Sequence, residues 1–326
     1  MLTTSPLGAS GPEIHRIGYG AMVLEGYYGG IEEEGAVQTL CTAIEKGMMI
    51  DTADAYGNGH NETLIAQALV RVGGKAFVST KFGIVFEDGF PKTSLPTGWG
   101  FALGINGRPE YVGHCINQSL GRLAVETVDL WYLHYPDPDV PIEETVGAMA
   151  RAVSDGKVRF LGLSNVTAEQ VRRAHAVHPI AAVQYEYSLW RREAETELLP
   201  TLRELGIALV AWSPLGSGFL TGTVDQLSDN DFRQNNPRWS KENLSVNRDR
   251  FAPLSAIAAE LGITPAQLAL AWLLHQGEDI FPIPGTRKPA RIDENAAALT
   301  VSLTPKDLDR IAAVAATGRA VGGTLV

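Results

Sequence analysis

Cysteine is scarce, with two in 326 residues. Cys41 falls on the apolar stripe Val37, Leu40, Ile44 and Cys115 lies beside His114 in another helical stretch. No Cys-x-x-Cys pair and no His–Cys ligand spacing accompany them, so both read as reduced core or near-core thiols, not as metal ligands or nucleophiles. Positive charge is also short: 27 Lys and Arg stand against 37 Asp and Glu, a net charge of −10. That balance argues against nucleic acid or an anionic membrane as the main partner, because both need clustered Lys or Arg. No apolar run reaches the roughly 18 residues of a membrane span. The opening Met-Leu-Thr-Thr-Ser-Pro has no basic segment followed by an apolar one, so no export signal is expected and the cytoplasm is the expected location. No Gly-x-Gly-x-x-Gly opens a helix after a strand, which excludes the usual dinucleotide fingerprint. A Walker lysine, a His-Glu-x-x-His pair and a nucleophile elbow are missing too.

What is present is a repeat. An amphipathic helix, a glycine and a short apolar strand ending in polar residues recur at residues 47–51, 74–81, 156–164 and 206–213. Further strands are expected at residues 16–22, 128–134, 180–185 and 279–284, making eight. Eight βα units in a chain with 45% hydrophobic residues predict an α/β fold, a single (β/α)8 TIM barrel spanning residues 1–326 as one domain. Helix ends are legible: Glu32-Glu33-Glu34 puts acids in a first turn, and Lys46 with Gly47 closes that helix. Pro109 and Pro141 suit first helical positions, and Thr167-x-x-Gln170 and Thr264-x-x-Gln267 are capping boxes. Residues 263–275 are apolar enough to pack hard against the barrel wall. Three stretches break the repeat. Residues 2–15 suggest an N-terminal hairpin across the barrel floor; residues 82–108 and 215–250 read as long irregular loops at the C-terminal face. Tyr27, Tyr28, Trp99, Phe101, Tyr135, Trp190 and Trp239 are candidates for an aromatic pocket there, alongside Phe219 and Phe232.

Ligands bind a barrel at the carboxyl ends of its strands. The expected endings are Asp51 with Tyr56 nearby, Lys81, His134, Ser164-Asn165, Gln184, Trp212-Ser213 and Pro284-Gly285-Thr286. Taken singly, Asp51 and Lys81 read equally as a structural ion pair, His134 as a core histidine and Tyr56 as loop packing. Together they have a chemical use. A phenol is a poor acid at neutral pH, but a neighbouring ammonium lowers its pKa, so Tyr56 is the expected acid, Asp51 holds Lys81 protonated, and His134 orients or polarises a carbonyl oxygen. A lyase or isomerase using Lys81 as a Schiff base stands as an alternative.

The same residues carry a family resemblance along nearly the whole chain. The motifs Asp51-Thr-Ala-Asp-Ala-Tyr56-Gly, Ser79-Thr-Lys81-Phe-Gly, Leu130-Trp-Tyr-Leu-His134, Gly162-Leu-Ser-Asn165, Val183-Gln184-Tyr-Glu-Tyr187, Trp212-Ser-Pro-Leu-Gly216 and Ile283-Pro-Gly-Thr286 occur in the order found in aldo-keto reductases. The chain resembles that family, and most of all its bacterial and fungal branch with long mid-chain loops, which includes pyridoxal reductase-like and potassium-channel β-subunit-like members. The resemblance implies a catalytic tetrad of Asp51, Tyr56, Lys81 and His134 and a nicotinamide cofactor, NADPH, reducing an aldehyde or ketone. It further implies that Gly20, Met22 and Asp51 contact the cofactor, that Ser164, Asn165 and Gln184 hydrogen-bond the nicotinamide carboxamide and that Trp212 stacks on the ring. By the same resemblance Ser213, Leu215, Gly216, Ser217 and Gly218 wrap the pyrophosphate, and Gly285, Thr286, Arg287, Arg291, Glu294 and Asn295 meet the adenosine end. Arg287, Lys288 and Arg291 form a positive patch suited to a 2′-phosphate, although Gly285-Thr286 replaces the Lys-Ser of some members. No metal is implied. A regulatory NADPH-binding subunit with slow turnover is the alternative function, and a homo-oligomer is left open.

Overall fold

In the computed structural model, residues 3–9, 11–224 and 226–325 are described. Leu2, which opens the first irregular stretch, and Val326 at the chain end lie outside them. Eight parallel strands form one sheet: β1 (Tyr19–Gly20), β2 (Ile50–Asp51), β3 (Val78–Phe82), β4 (Val128–Leu133), β5 (Val158–Ser164), β6 (Ile180–Glu186), β7 (Ala208–Trp212) and β8 (Ile280–Pro282), each paired with the next in chain order. The sheet curls shut between its first and last strands. Gly18 donates its N–H to the Pro282 carbonyl at 2.9 Å, and Gly20 donates to Pro284 at 3.4 Å.

Side-chain alternation along the strands builds two cores, because successive residues face opposite sides of a sheet. Met49, Leu130, Tyr132, Ala182, Ala208, Val210 and Phe281 fill the barrel interior. Their neighbours Ile50, Trp131, Leu133, Val183, Leu209 and Ala211 face the surrounding helices. Those helices are α1 (Glu33–Glu45), α2 (His60–Val72), α3 (Pro109–Leu123), α4 (Ile142–Ser154), α5 (Ala168–Val177), α6 (Leu198–Leu205), α7 (Lys241–Glu260), α8 (Pro265–Leu274), α9 (Pro289–Ala296) and α10 (Pro305–Val314). α8 is buried almost all round, as its composition suggests. Both expected capping boxes form, and Thr304 with Asp307 makes a third. Cys41 and Cys115 are buried, free thiols. Among the described residues no single helix is long and apolar enough to cross a membrane.

The barrel floor is closed by the hairpin Thr4–Pro6 with Glu13–His15, which inserts Leu7 and Ile14 into the interior core. Several expected boundaries move. The first strand is confined to Tyr19–Gly20 instead of residues 16–22, because its seam partner carries Pro282 and Pro284, which have no N–H to donate. Met22 instead enters a 3-10 turn, Ala21–Glu25. Pro141 is an N-cap, one residue outside α4. Residues 82–108 contain a second hairpin, Thr93–Pro96 with Ala102–Ile105. The third irregular stretch, expected to run to residue 250, ends at Ser240, whose hydroxyl caps α7. That helix carries Pro253 and a polar first half, which hide its period in the sequence.

Interior positions tolerate little added volume. At Gly162 on β5 an added Cβ would overlap the Tyr132 ring and stand 3.1 Å from the Ala182 carbonyl oxygen. Gly162→Ala should therefore destabilise the barrel by about 1–3 kcal/mol, seen as a lower denaturant midpoint at unchanged slope.

Candidate active site

The period that fills the barrel interior also delivers its polar mouth. Met49 and Asp51, Ser79 and Lys81, Tyr132 and His134, Gly162 and Ser164, Ala182 and Gln184, Val210 and Trp212 are two apart, so the last inward position of each strand carries a polar or aromatic group. These six positions share one end of the barrel.

At its centre is a buried ion pair. Lys81 Nζ lies 2.6 Å from Asp51 Oδ1, with the two side chains 1% and 3% exposed. Charges so deeply buried are tolerated only when paired and fully hydrogen-bonded. Asp51 Oδ2 accepts from Ser79 Oγ at 2.8 Å and Gln184 Nε2 at 2.7 Å, while Lys81 also donates to the Thr52 carbonyl at 2.6 Å. The third neighbour of the ammonium is the Tyr56 hydroxyl, at a long 3.4 Å. Tyr56 and His134 meet edge to face with ring centroids 5.9 Å apart, and His134 stacks on Tyr135.

Burial governs the titration of this cluster. It holds the Tyr56 phenol well above its ordinary pKa, with the Asp51 charge acting in the same direction. The sequence-based expectation of a lowered phenol pKa is therefore reversed: Lys81 is already neutralised by Asp51 and stands at the limit of hydrogen-bond reach. Burial also lowers the Lys81 pKa, against the opposing pull of Asp51. Burial, reinforced by the Lys81 charge, holds His134 well below 6.5, so its imidazole is neutral at neutral pH. Lys81 does not line the cavity described next, which denies a Schiff-base lysine its approach to a carbonyl.

A cavity of about 790 Å3 opens over the cluster, and Asp51, Tyr56 and His134 lie in its wall. All the residues expected to hold a cofactor line it except Gly216, where an added Cβ would meet the Trp190 ring at 2.8 Å. Tyr27, Tyr28, Trp99, Phe101, Tyr135 and Phe232 supply the aromatic wall. Trp190 and Trp239 do not: Trp190 stacks on Phe219 at 4.1 Å and Trp239 crosses both at right angles, packing the loop beneath.

The wall has the features a dinucleotide needs. Asn165, Ser213 and Ser217 adopt left-handed backbone (φ 56°, 52° and 54°), a strained state that concentrates at functional sites. Asn165 Nδ2 donates to the His134 carbonyl and Ser164 Oγ, leaving Oδ1 buried without a partner, an acceptor that a carboxamide N–H would satisfy. At Gly20 an added Cβ would come within 2.8 Å of the Ile283 carbonyl oxygen. Near the other end of the chain Arg287 donates to the Gly30 carbonyl at 2.8 Å and Arg291 pairs with Glu294, while Lys288 is exposed.

Two residues to which the sequence assigned no role complete the site, Arg233 in the cavity wall and Ser79 buried behind it. Arg233 is anchored by Asp231 at 2.6 Å, donates to the Ser217 carbonyl at 2.9 Å and lies over the Tyr28 ring. Ser79 completes the Asp51 shell. Ser79 was legible as the inward residue two before Lys81; Arg233 lies in an irregular loop with no periodic signal.

A closed barrel whose strand ends gather a carboxylate, an ammonium, a phenol and an imidazole at one cavity defines a (β/α)8 enzyme, not a dinucleotide-fold dehydrogenase. The aldo/keto reductase family model matches residues 16–316. The chain is 44% identical over 322 residues to probable aldo-keto reductase 1 of Glycine max, covering 97% of this chain and 90% of that one. Among solved structures it is similar to a glycerol dehydrogenase from Gluconobacter oxydans, with a TM-score of 0.82 at 29% identity, covering 99% of this chain and 98% of that one. It also shares the fold of an aldo-keto reductase from Klebsiella pneumoniae in complex with NADPH, with a TM-score of 0.74 at 23% identity over 97% and 96% of the two chains. The chain belongs to the aldo/keto reductase family and is an oxidoreductase.

The low His134 pKa has a consequence for stability. Above 6.5 the imidazole is neutral folded and unfolded, and its contribution is complete. Below 6.5 the unfolded chain takes up a proton that the folded chain resists, so stability falls with pH by up to about 1.4 kcal/mol per unit. His134→Gln should flatten this decline between about pH 6.5 and pH 5 in denaturant titrations.

Proposed function

We propose that this enzyme reduces an aldehyde or ketone to an alcohol with NADPH, with Tyr56 as the proton donor and residues 1–326 acting as one barrel domain. The observation that carries the reading is the cluster Asp51, Lys81, Tyr56 and His134 at the wall of a single large cavity. Reduced nicotinamide, when bound, supplies the hydride. The protein's part is to hold the carbonyl oxygen between the Tyr56 hydroxyl and the neutral His134 imidazole and to deliver a proton to it. A phenol held above its ordinary pKa stays protonated until negative charge develops on the neighbouring oxygen, and Lys81 then stabilises the phenolate left behind. The 3.4 Å separation of Lys81 from Tyr56 suits a pair that tightens only as that charge appears.

Ser164, Asn165 and Gln184 would hold the nicotinamide carboxamide beside Gly20 and Met22, and Trp212 would stack on the ring. Ser213, Leu215, Ser217 and Gly218 would carry the pyrophosphate with Arg233 behind them, and Gly216 contributes by fixing the turn against Trp190. Gly285, Thr286, Glu294 and Asn295 would surround the adenosine. Lys288, with Arg287 and Arg291 once they leave Gly30 and Glu294, supports a preference for the 2′-phosphate of NADPH.

Tryptophan fluorescence should be quenched saturably by NADPH, through Trp212, with clearly weaker quenching by NADH; equal affinities would sink the phosphate assignment. Tyr56→Phe should lower kcat on a simple aromatic aldehyde by about 10²–10⁴-fold and leave NADPH binding unchanged. Near-normal turnover by that variant would remove Tyr56 from the chemistry.

A further inference from the structure

Glu25 lies in the turn after β1 and does not line the large cavity, yet its side chain is only 7% exposed. Oε1 accepts from Asn61 Nδ2 at 2.8 Å. Oε2 lies 3.1 Å from Nδ1 of His60, a residue at the surface, and packs so closely on Gly57 that an added Cβ there would collide with it.

Both ends of this carboxylate lead to the reacting groups. Gly57, Asn58 and Gly59, which directly follow Tyr56, have φ of 58°, 52° and 88°: three successive left-handed residues in one turn. Glycine adopts such φ freely, so only Asn58 carries backbone strain there, and what fixes where the turn sits is packing: the Glu25 carboxylate is wedged against its first residue. Along the other arm Asn61 Oδ1 accepts from Thr52 Oγ1 at 2.7 Å, and the Thr52 carbonyl accepts from Lys81 Nζ at 2.6 Å. Thr52 and Asn61 are both fully buried. An amide and a peptide carbonyl pass no proton along such a path, so it transmits position and not charge.

We propose that Glu25 is a positioning residue for the reduction, one carboxylate that sets Tyr56 through the Gly57 turn and Lys81 through Asn61 and Thr52. Their separation of 3.4 Å is already at the edge of a hydrogen bond, where a displacement of a fraction of an ångström decides whether the ammonium supports the departing proton. Reach, and not charge, is what the geometry requires of the side chain.

The proposal rests on the reading of Tyr56 as proton donor, so Tyr56→Phe is measured beside the Glu25 variants. Glu25→Gln keeps the length and an acceptor for Asn61; Glu25→Asp keeps the charge and withdraws it by one methylene. Expected is a kcat within about threefold of the parent for Glu25→Gln and a loss of about tenfold or more for Glu25→Asp and Glu25→Ala. KM and the NADPH dissociation constant from tryptophan quenching should stay within about twofold in all three. Where Glu25→Ala fails to fold, the Gln–Asp contrast decides. Full activity of Glu25→Asp with impaired Glu25→Gln would overturn the proposal, as would a kcat loss accompanied by equally weakened NADPH binding. Active Glu25 variants beside an inactive Tyr56→Phe would overturn it and leave the Tyr56 reading standing; an active Tyr56→Phe would overturn both.

Discussion

The Asp51–Lys81 ion pair is the interaction around which the rest of the molecule is arranged. Two opposite charges at 2.6 Å, almost wholly removed from water, would destabilise a core if left otherwise unpartnered, because their desolvation then costs more than their attraction returns. Here every lone pair and proton that matters has a partner: Ser79 and Gln184 on the carboxylate, the Thr52 carbonyl and the Tyr56 hydroxyl on the ammonium. Those partners come from three strands or strand ends, β2, β3 and β6, so the pair is satisfied only when the barrel is closed and in register. Closure is thin at the β1–β8 seam, where prolines leave two glycine N–H groups to carry the ladder.

The loops above this centre divide into a layer that faces the cavity and a layer that supports it. Phe232 joins the facing layer, meeting Tyr27, Trp99 and Phe101 at centroid distances of 5.6, 5.6 and 6.0 Å and donating its N–H to the Tyr27 carbonyl. In the supporting layer Trp190 stacks on Phe219, and Trp239 meets both edge-on. Arg233 ties the layers together, since its guanidinium lies against both Tyr28 and Trp239 while it holds the Ser217 carbonyl. In a chain of net charge −10 the basic groups at the cavity sit chiefly on this loop and after β8, where a phosphate-bearing ligand would need them.

Titration behaviour follows from the same arrangement. A phenol beside an ammonium is expected to be acidic, but Lys81 spends its charge on Asp51, and burial prevails at Tyr56 and His134 alike. The resting cluster is thus a protonated phenol beside a neutral imidazole.

The sequence by itself determined the eight strands and the inward polar residues near their carboxyl ends, though not where each strand stops. Strand period, helix caps and glycine C-caps are set within a few residues, and a period of two places Asp51, Lys81, His134, Ser164, Gln184 and Trp212 on the inward face once their strands are known. Residues on irregular loops were legible only as composition. Whether Trp99 or Trp190 faces the cavity, that Gly216 turns toward Trp190, that Arg233 and Glu25 reach the site at all, and that α7 starts at Lys241 depend on contacts between segments distant in the chain. The direction of the Tyr56 pKa belongs with these, because desolvation is a property of everything packed around a group, and only the closed tertiary structure decides how much water is left there.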